Sequence, residues 1–556
     1  MAEDLYPIAS SGYMGDLPHK THSLCPECKK LLPAIVYADG DVVRIKKTCP
    51  EHGEFSELYW ESIEMYERGR KQGAPGKIQK RTNTPEELGN TGLNCPFDCG
   101  ICQRHKSHTA LANIVATNRC DLSCWYCFFY AKEGQPIYEP SLEQVRLMMR
   151  NLRNEKPVPC NAIQITGGEP TLRDDLIDMI KIAKEEGIGH VQVNTDGVNL
   201  AFKPDLAKQI REAGTNTIYM SFDGVSSQSN PKNHWEAPYA IEQCRKAGMG
   251  IVLVPTVIKG VNDQEIGAIV NFGLNNMDVI RGVNFQPVSL VGRMPKELRE
   301  KQRITIPKVI KNIEEQTNGV VTPDDFYTVP SIHAITKFVE AFTGKQKYDL
   351  TTHFACGAAT YLYKDEDKIT PITQFVDVDG LFEYLTEKAE ELEGGKNKYW
   401  VGLKILKRLG GFIDDGKKPK GFDLGKMLIN ALLKHDYRSL GNLHHKLLFI
   451  GMMHFQDPYN YDVERVERCC IHYVVPDGRI IPFCTFNVIP EIYRDKIQAE
   501  YAMTAREWEI RTGKKLADDK YQRNAGELAA GETYKKAYEL KDLFKVGKSR
   551  QGDISR

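Results

Sequence analysis

Residues 112–127 read ANIVATNRCDLSCWYC, and this stretch decides the fold. Its first half is a short apolar run ending at Thr117, which reads as a buried strand. Its second half is a loop that delivers Cys120, Cys124 and Cys127, with three and then two residues between them. Three thiolates at a strand end supply three ligands to a [4Fe–4S] cubane and leave one iron open. An open coordination site is where a small molecule binds and reacts. A zinc knuckle explains the spacing less well, because structural zinc takes four ligands.

Outward from this stretch, short apolar runs recur at AIQIT (162–166), HVQVN (190–194), TIYMSF (217–222), GIVLVPT (250–256) and GVNFQPV (282–288). Amphipathic stretches such as SLEQVRLMMRNLRN and LIDMIKIAKEEG separate them. Strands alternating with helices predict an α/β fold with a parallel sheet, here a partial (β/α)6 barrel of TIM type over 111–330. Chemistry in such barrels gathers at the C-terminal strand ends. The second run ends in Gly167-Gly168-Glu169-Pro170, the third in Asn194-Thr195-Asp196 and the fourth in Ser221-Phe222-Asp223.

A CxxxCxxC loop after strand one and a GGEP loop after strand two resemble the radical S-adenosylmethionine (SAM) superfamily. The resemblance implies that Cys120, Cys124 and Cys127 hold a [4Fe–4S] cluster whose fourth iron is chelated by the cofactor. It implies that Gly167, Gly168 and Glu169 receive the methionine ammonium, with glycine admitting close backbone approach. It further implies that Tyr126 packs near adenine, and that Asn194, Asp196, Ser221 and Asp223 contact ribose and the methionine carboxylate. Taken singly, each of these could be an ordinary turn or cap.

The chain has 15 cysteines, an odd number gathered in short-spaced groups, which reads as metal binding and not as a disulfide framework. Region 1–90 carries Cys25-x2-Cys28 and Cys49-x2-His52 around a strand-like stretch with an Asp39-Gly40 turn. This is zinc-ribbon or rubredoxin-like spacing for one mononuclear Fe or Zn. A polar, linker-like stretch follows at 71–90. Segment 91–110 repeats the cluster spacing at Cys95, Cys99 and Cys102. Lacking a strand before it and a glycine loop after it, this set reads as an auxiliary [4Fe–4S] site. Region 331–556 reads as mainly helical, with Cys356, Cys469, Cys470 and Cys484 as ligands of a second auxiliary cluster. Adjacent Cys469 and Cys470 need not both face it. Cys160 and Cys244 read as small buried apolar residues.

Lys plus Arg and Asp plus Glu both total 74, and this balance argues against a protein whose main task is coating nucleic acid. The sequence has no apolar run of about eighteen residues and begins without a secretory pattern, so a cytoplasmic location is expected. Two segments combine apolar and basic residues: KNKYWVGLKILKRLGGFI (396–413) and HHKLLFIGMMHF (444–455). Such a pattern suits either a surface helix with a solvated face or contact with anionic lipid headgroups through Lys404, Lys407 and Arg408. His444 and His445 have no metal-type spacing.

Over about residues 20–490 the CPEC…CPEHG front end, the doubled CxxxCxxC and the late cysteines resemble the archaeal tetraether lipid synthases. That resemblance implies three [4Fe–4S] clusters and a rubredoxin-like site. It implies a 5′-deoxyadenosyl radical that takes hydrogen from terminal methyls of isoprenoid diether phospholipids, forming sp3–sp3 carbon bonds. The implied partners are archaeal membrane phospholipids at the inner membrane face, bound peripherally, and an electron donor such as ferredoxin. Proteins of this type are also associated with methylation of a methanopterin precursor, so a radical SAM methylase of a pterin is the first rival. An Fe–S electron carrier is the second, and it would have no use for the GGEP loop.

Overall fold

The computed structural model describes residues 16–76, 94–102, 104–127, 129, 136–292, 294–419, 422 and 446–545. The linker beyond residue 76, His444 and His445 lie outside the described residues. Strands β1 (His19–Leu24), β2 (Leu31–Asp39), β3 (Val42–Cys49) and β4 (Gly53–Trp60) form an antiparallel sheet in sequence order. Gly40, at φ +59°, turns the chain between β2 and β3, where the Asp39-Gly40 pair predicts a hairpin.

The second sheet begins with β5 (Leu111–Thr117); β6 (Ile137–Tyr138) is a short strand beside it. Then come β7 (Ala162–Gly167), β8 (His190–Thr195), β9 (Thr217–Ser221), β10 (Gly250–Val254), β11 (Thr256–Val257) and β12 (Ile280–Pro287). β5, β7, β8, β9, β10 and β12 lie side by side in that order, all parallel, which is the predicted partial barrel. Alternate residues of these strands, including Ile114, Ile163, Ile165, Val191, Val193, Ile218 and Met220, pack with helix residues such as Val145, Met148, Met179 and Ile180 in the main core. The intervening positions turn inward, following the period of two in a strand. There Gln192 Nε2 donates to Gln164 Oε1 at 2.7 Å, Gln164 Nε2 to Asn113 Oδ1 at 3.0 Å, and Asn113 Nδ2 to the His472 carbonyl at 3.3 Å. The inside of the barrel is polar.

Beyond residue 326 the chain supplies strands as well as helices: β13 (Tyr327–Thr328), β14 (Gly357–Asp365), β15 (Lys368–Pro371), β16 (Leu447–Met453), β17 (Ile471–Val474), β18 (Ile480–Pro482) and β19 (Ala502–Met503). β16 continues the sheet parallel to β12, and β17 lies parallel to β5 at the other edge. Both edges of the six-stranded core are therefore covered by strands from far along the chain, which removes exposed backbone donors and acceptors. A seven-residue apolar run such as LLFIGMM has no periodicity that separates helix from strand, so sequence reading missed these additions.

Glu155 follows the helix Leu142–Arg153 and is buried, with Oε1 accepting from Thr109 Oγ1 at 2.5 Å and Oε2 unpartnered. Burial pushes its carboxyl up to about 8. A carboxyl whose folded pKa is raised contributes stability below its unfolded value, and that contribution is lost as pH climbs through the folded value. Glu155→Gln is thus expected to raise the melting temperature relative to the parent as pH goes from 6 to 9. A difference that stays flat over this range refutes the assignment.

Candidate functional site

The backbone ladder between β5 and β7 continues beyond both strands. Gly168 N donates to Thr117 O and Glu169 N to Arg119 O, each at 2.8 Å. This fixes the residues immediately before Cys120 and projects the cysteine loop over the strand ends. Glycine is required here: a Cβ at Gly167, whose φ is +143°, would lie 2.2 Å from Thr117 O, and one at Gly168 would lie 1.9 Å from Arg119 O. Arg119 itself is buried. Its guanidinium pairs with Glu139 at 2.8 Å and Asp519 at 2.7 Å, and its carbon lies 4.4 Å from the Trp508 ring centroid.

Three carboxyl groups gather around the loop. Donor atoms of Cys120, Asp121 and Asp196 lie within 4.8 Å of one another. Glu169 stands behind them, its Oε1 accepting three hydrogen bonds from the chain and its Oε2 one. It accepts from Thr171 N at 2.9 Å, Thr171 Oγ1 at 2.5 Å, Thr195 Oγ1 at 2.9 Å and Asp196 N at 2.8 Å. Asp196 Oδ1 accepts from Val198 N, and the Asp196 and Asp121 carboxyl groups hydrogen-bond each other. Burial, then the neighbouring acids, push Asp121 up to about 6, Glu169 up to about 8 and Asp196 well above the usual carboxylate range. Crowded buried acids without a matching cation favour a cationic ligand, and SAM carries an ammonium and a sulfonium. The carboxyl groups beside Cys120 are Asp121 and Asp196, and Glu169 joins them through the Asp196 amide.

The other strand ends are tied together. The Tyr126 hydroxyl donates to Asp223 Oδ2, so Tyr126 joins the cysteine loop to the end of β9. Lys232 pairs with the same carboxylate at 2.9 Å and stands 5.3 Å from the Tyr126 ring centroid. Asn233 Nδ2 bridges the carbonyls of Asp196 at 2.6 Å and Ser221 at 2.7 Å. Asn194 Nδ2 reaches Thr166 Oγ1 at 3.3 Å. Lys232 and Asn233 were missed because nothing in a loop sequence marks a lone Lys-Asn pair.

Cys25, Cys28, Cys49 and His52 form a second constellation. Cys28 and Cys49 sulfurs are 3.8 Å apart, and His52 Nδ1 lies 3.7 Å from Cys25 Sγ and 3.5 Å from Cys49 Sγ. A tetrahedral ion with bonds of about 2.3 Å to sulfur separates its ligands by about 3.8 Å, so these four donors suit one such ion.

Cys95, Cys99 and Cys484 share a buried cluster, with Cys127 and Cys469 packed against it. Cys99 N donates to the Tyr493 hydroxyl at 2.9 Å, and that hydroxyl donates to Pro96 O at 2.5 Å. Cys102 is half-buried. Cys356 precedes β14, Cys469 and Cys470 precede β17, and Cys484 follows β18. Cys469 lies near Cys484, Cys470 and Cys356. Cys160 and Cys244 are in the main core, away from these groups.

Residues 114–273 match the Radical SAM superfamily, and residues 17–61 match the HMPTM N-terminal zinc ribbon domain. The chain is similar to the 7,8-dihydro-6-hydroxymethylpterin dimethyltransferase of Methanocaldococcus jannaschii, at 46% identity over 501 residues, covering 88% of this chain and 96% of that one. It is similar over 191 residues to the GTP 3',8-cyclase of Aquifex aeolicus, at 30% identity, covering 32% of this chain and 57% of that one. The crystal structure of HydG, a maturase of the [FeFe]-hydrogenase, aligns with 38% of this chain and 50% of its own at 14% identity and a TM-score of 0.31.

These findings overturn the likeness to tetraether lipid synthases, and with it the coupling of isoprenoid chains and the phospholipid and membrane partners. The structure gives physical reasons. The run 447–453 is a sheet strand whose Leu448, Ile450 and Met452 fill the main core. In the helix Lys398–Arg408, Val401 and Ile405 pack with Leu381, Leu385 and Phe412 in a separate small core, and Lys404 pairs with Glu391 at 3.4 Å. Among the described residues no helix is long and apolar enough to cross a membrane. With a near full-length relative and the superfamily match over its barrel, this chain is a radical SAM enzyme and belongs to the family of the M. jannaschii 7,8-dihydro-6-hydroxymethylpterin dimethyltransferase.

Proposed function

We propose that this enzyme methylates a reduced pterin. The observation that carries this reading is the 46% identity to the pterin dimethyltransferase, which extends across 96% of that protein. The polar barrel interior supports it: the Asn113, Gln164 and Gln192 amides form a hydrogen-bonded chain there, a lining that suits a polar heterocycle better than an apolar chain.

In this reading Cys120, Cys124 and Cys127 hold the [4Fe–4S] cluster, and Asp196 with Asp121 receives the SAM ammonium. Bound together, cluster and SAM supply one-electron cleavage of the sulfonium and a carbon radical able to take an unactivated hydrogen. The chain's own contribution is placement. Gly167 and Gly168 let the backbone approach the cofactor, and the Asp223–Tyr126–Lys232 set holds the loop closed over the strand ends. Asp223 and Lys232 are mutually compensating charges, whereas burial and mutual repulsion hold the Asp121 and Asp196 carboxyls toward their neutral forms, a cost that a bound cation relieves. Cys95, Cys99 and Cys102 serve one auxiliary cluster, and Cys356, Cys484 and Cys469 or Cys470 a second. The zinc-ribbon site is structural.

The test is anaerobic incubation of the reduced enzyme with SAM and 7,8-dihydro-6-hydroxymethylpterin, read by mass spectrometry. The expected product gains one CH2 for each methyl transferred, together with 5′-deoxyadenosine, and isotope-labelled SAM reports the source of the methyl carbon. Cofactor cleavage with an unchanged pterin would overturn the substrate assignment.

A further inference from the structure

Arg465 lies in the short helix Val463–Glu467 and is buried, with 2% of its surface exposed. Its Nη2 donates to the His454 carbonyl at 2.7 Å, and its Nε has no acceptor. Its guanidinium hydrogen-bonds Cys356, and Tyr59 and Cys484 are also close by. Tyr59 supplies no anion: its ring centroid is 5.8 Å from the guanidinium and its hydroxyl donates to Asp462 at 2.7 Å. Among the described residues, no carboxylate forms an ion pair with Arg465.

A guanidinium buried without an anion costs several kcal/mol, and a neutral thiol does not offset that cost. The region is short of negative charge in other ways. Both ring nitrogens of buried His454 and Nε2 of buried His353 lack partners. Cys484 Sγ accepts from Gln456 N at 3.3 Å, an arrangement that favours a sulfur bearing negative charge. What would complete the site is an anion located where Cys356 and Cys484 face Arg465, with Cys469 beside them. An iron–sulfur cluster bound by thiolates is such an anion, and it gains a further negative charge when reduced.

We propose that Arg465 is the built-in counter-cation of the iron–sulfur cluster at Cys356, Cys469 and Cys484, and that it raises the reduction potential of that cluster. It is a positioning residue acting on the cluster, not on substrate, and the inference is independent of the pterin reading. A one-electron reduction places its charge beside the guanidinium, so the neighbouring cation stabilises the reduced form over the oxidised form.

The experiment is a redox titration of the reconstituted full-length protein, followed by electron paramagnetic resonance. The relevant signal is identified as the one lost in Cys484→Ala. In Arg465→Met the ratio of reduced to oxidised cluster at fixed potential is expected to fall at least tenfold, equivalent to about 59 mV for one electron. Arg465→Lys is expected to keep the parental ratio within threefold, and Arg465→Gln serves as the neutral variant if the methionine protein does not fold. Neutral variants with full iron content and an unchanged potential would overturn the proposal. So would parental iron content in both Cys356→Ala and Cys484→Ala, which would mean that no cluster sits there.

Discussion

Gly168→Ala is expected to eliminate 5′-deoxyadenosine formation and to lower the melting temperature by more than any other single methyl added near the site. The added Cβ would stand 1.9 Å from Arg119 O and 2.6 Å from Arg119 C, both backbone atoms that have no rotamer to escape into. Relief requires opening the ladder that joins Gly168 N to Thr117 O and Glu169 N to Arg119 O. It also requires moving Arg119, which Glu139 and Asp519 hold in a buried ion pair. Overpacking of this kind costs about 1–3 kcal/mol, and two lost backbone hydrogen bonds add about 1 kcal/mol each. The cysteine loop begins one residue later, so the same shift misplaces Cys120. Thermal unfolding of the reconstituted protein and chromatography of the nucleoside product check both parts. Cleavage at the parental rate would show that the loop tolerates a displacement the geometry forbids.

Cys120→Ala should reduce SAM cleavage by at least a thousandfold, whereas Cys95→Ala should leave it measurable. Both residues open a CxxxCxxC motif. Cys120, however, follows β5, lies beside the Asp121–Asp196 pair and precedes the glycine loop that an aminoacyl cofactor needs. Cys95 is buried against Cys99, with Tyr493 bonded to the backbone between them. Iron content measured alongside cleavage separates loss of a cluster from loss of chemistry. The reverse pattern would move the cofactor to the first motif.

The barrel strands were legible because each is a short apolar run between helical periods, and the six predicted runs all fall within one or two residues of β5, β7, β8, β9, β10 and β12. The ribbon was legible through its paired knuckles. The strands β16 and β17 were not, since their partners β12 and β5 are set by contacts across long sequence separations. Groups such as Lys232, Asn233 and Arg465 escaped for the same reason: each is a solitary polar residue whose partners belong to other parts of the chain. Glu169 lies in the predicted loop, where Thr171, Thr195 and the Asp196 amide donate to its carboxylate, partners that belong to other strand ends and that no local motif announces. The lipid reading failed differently. Cysteine spacing reports the cofactor chemistry and carries no information about the substrate.

The strands that cover the barrel edges have a consequence for biosynthesis. Leu111 in β5 pairs with Ile471 in β17, 360 residues later. At roughly 5–20 residues per second, that neighbour emerges from the ribosome about 20–70 s after β5 does. During that interval a nascent parallel sheet carries an unsatisfied border that invites intermolecular pairing. Iron delivery to Cys120 before the border closes would expose the metal to solvent and oxidants. Heterologous production should accordingly reward slow translation and chaperone supply more than added iron, and fragments ending before β17 should accumulate as aggregates.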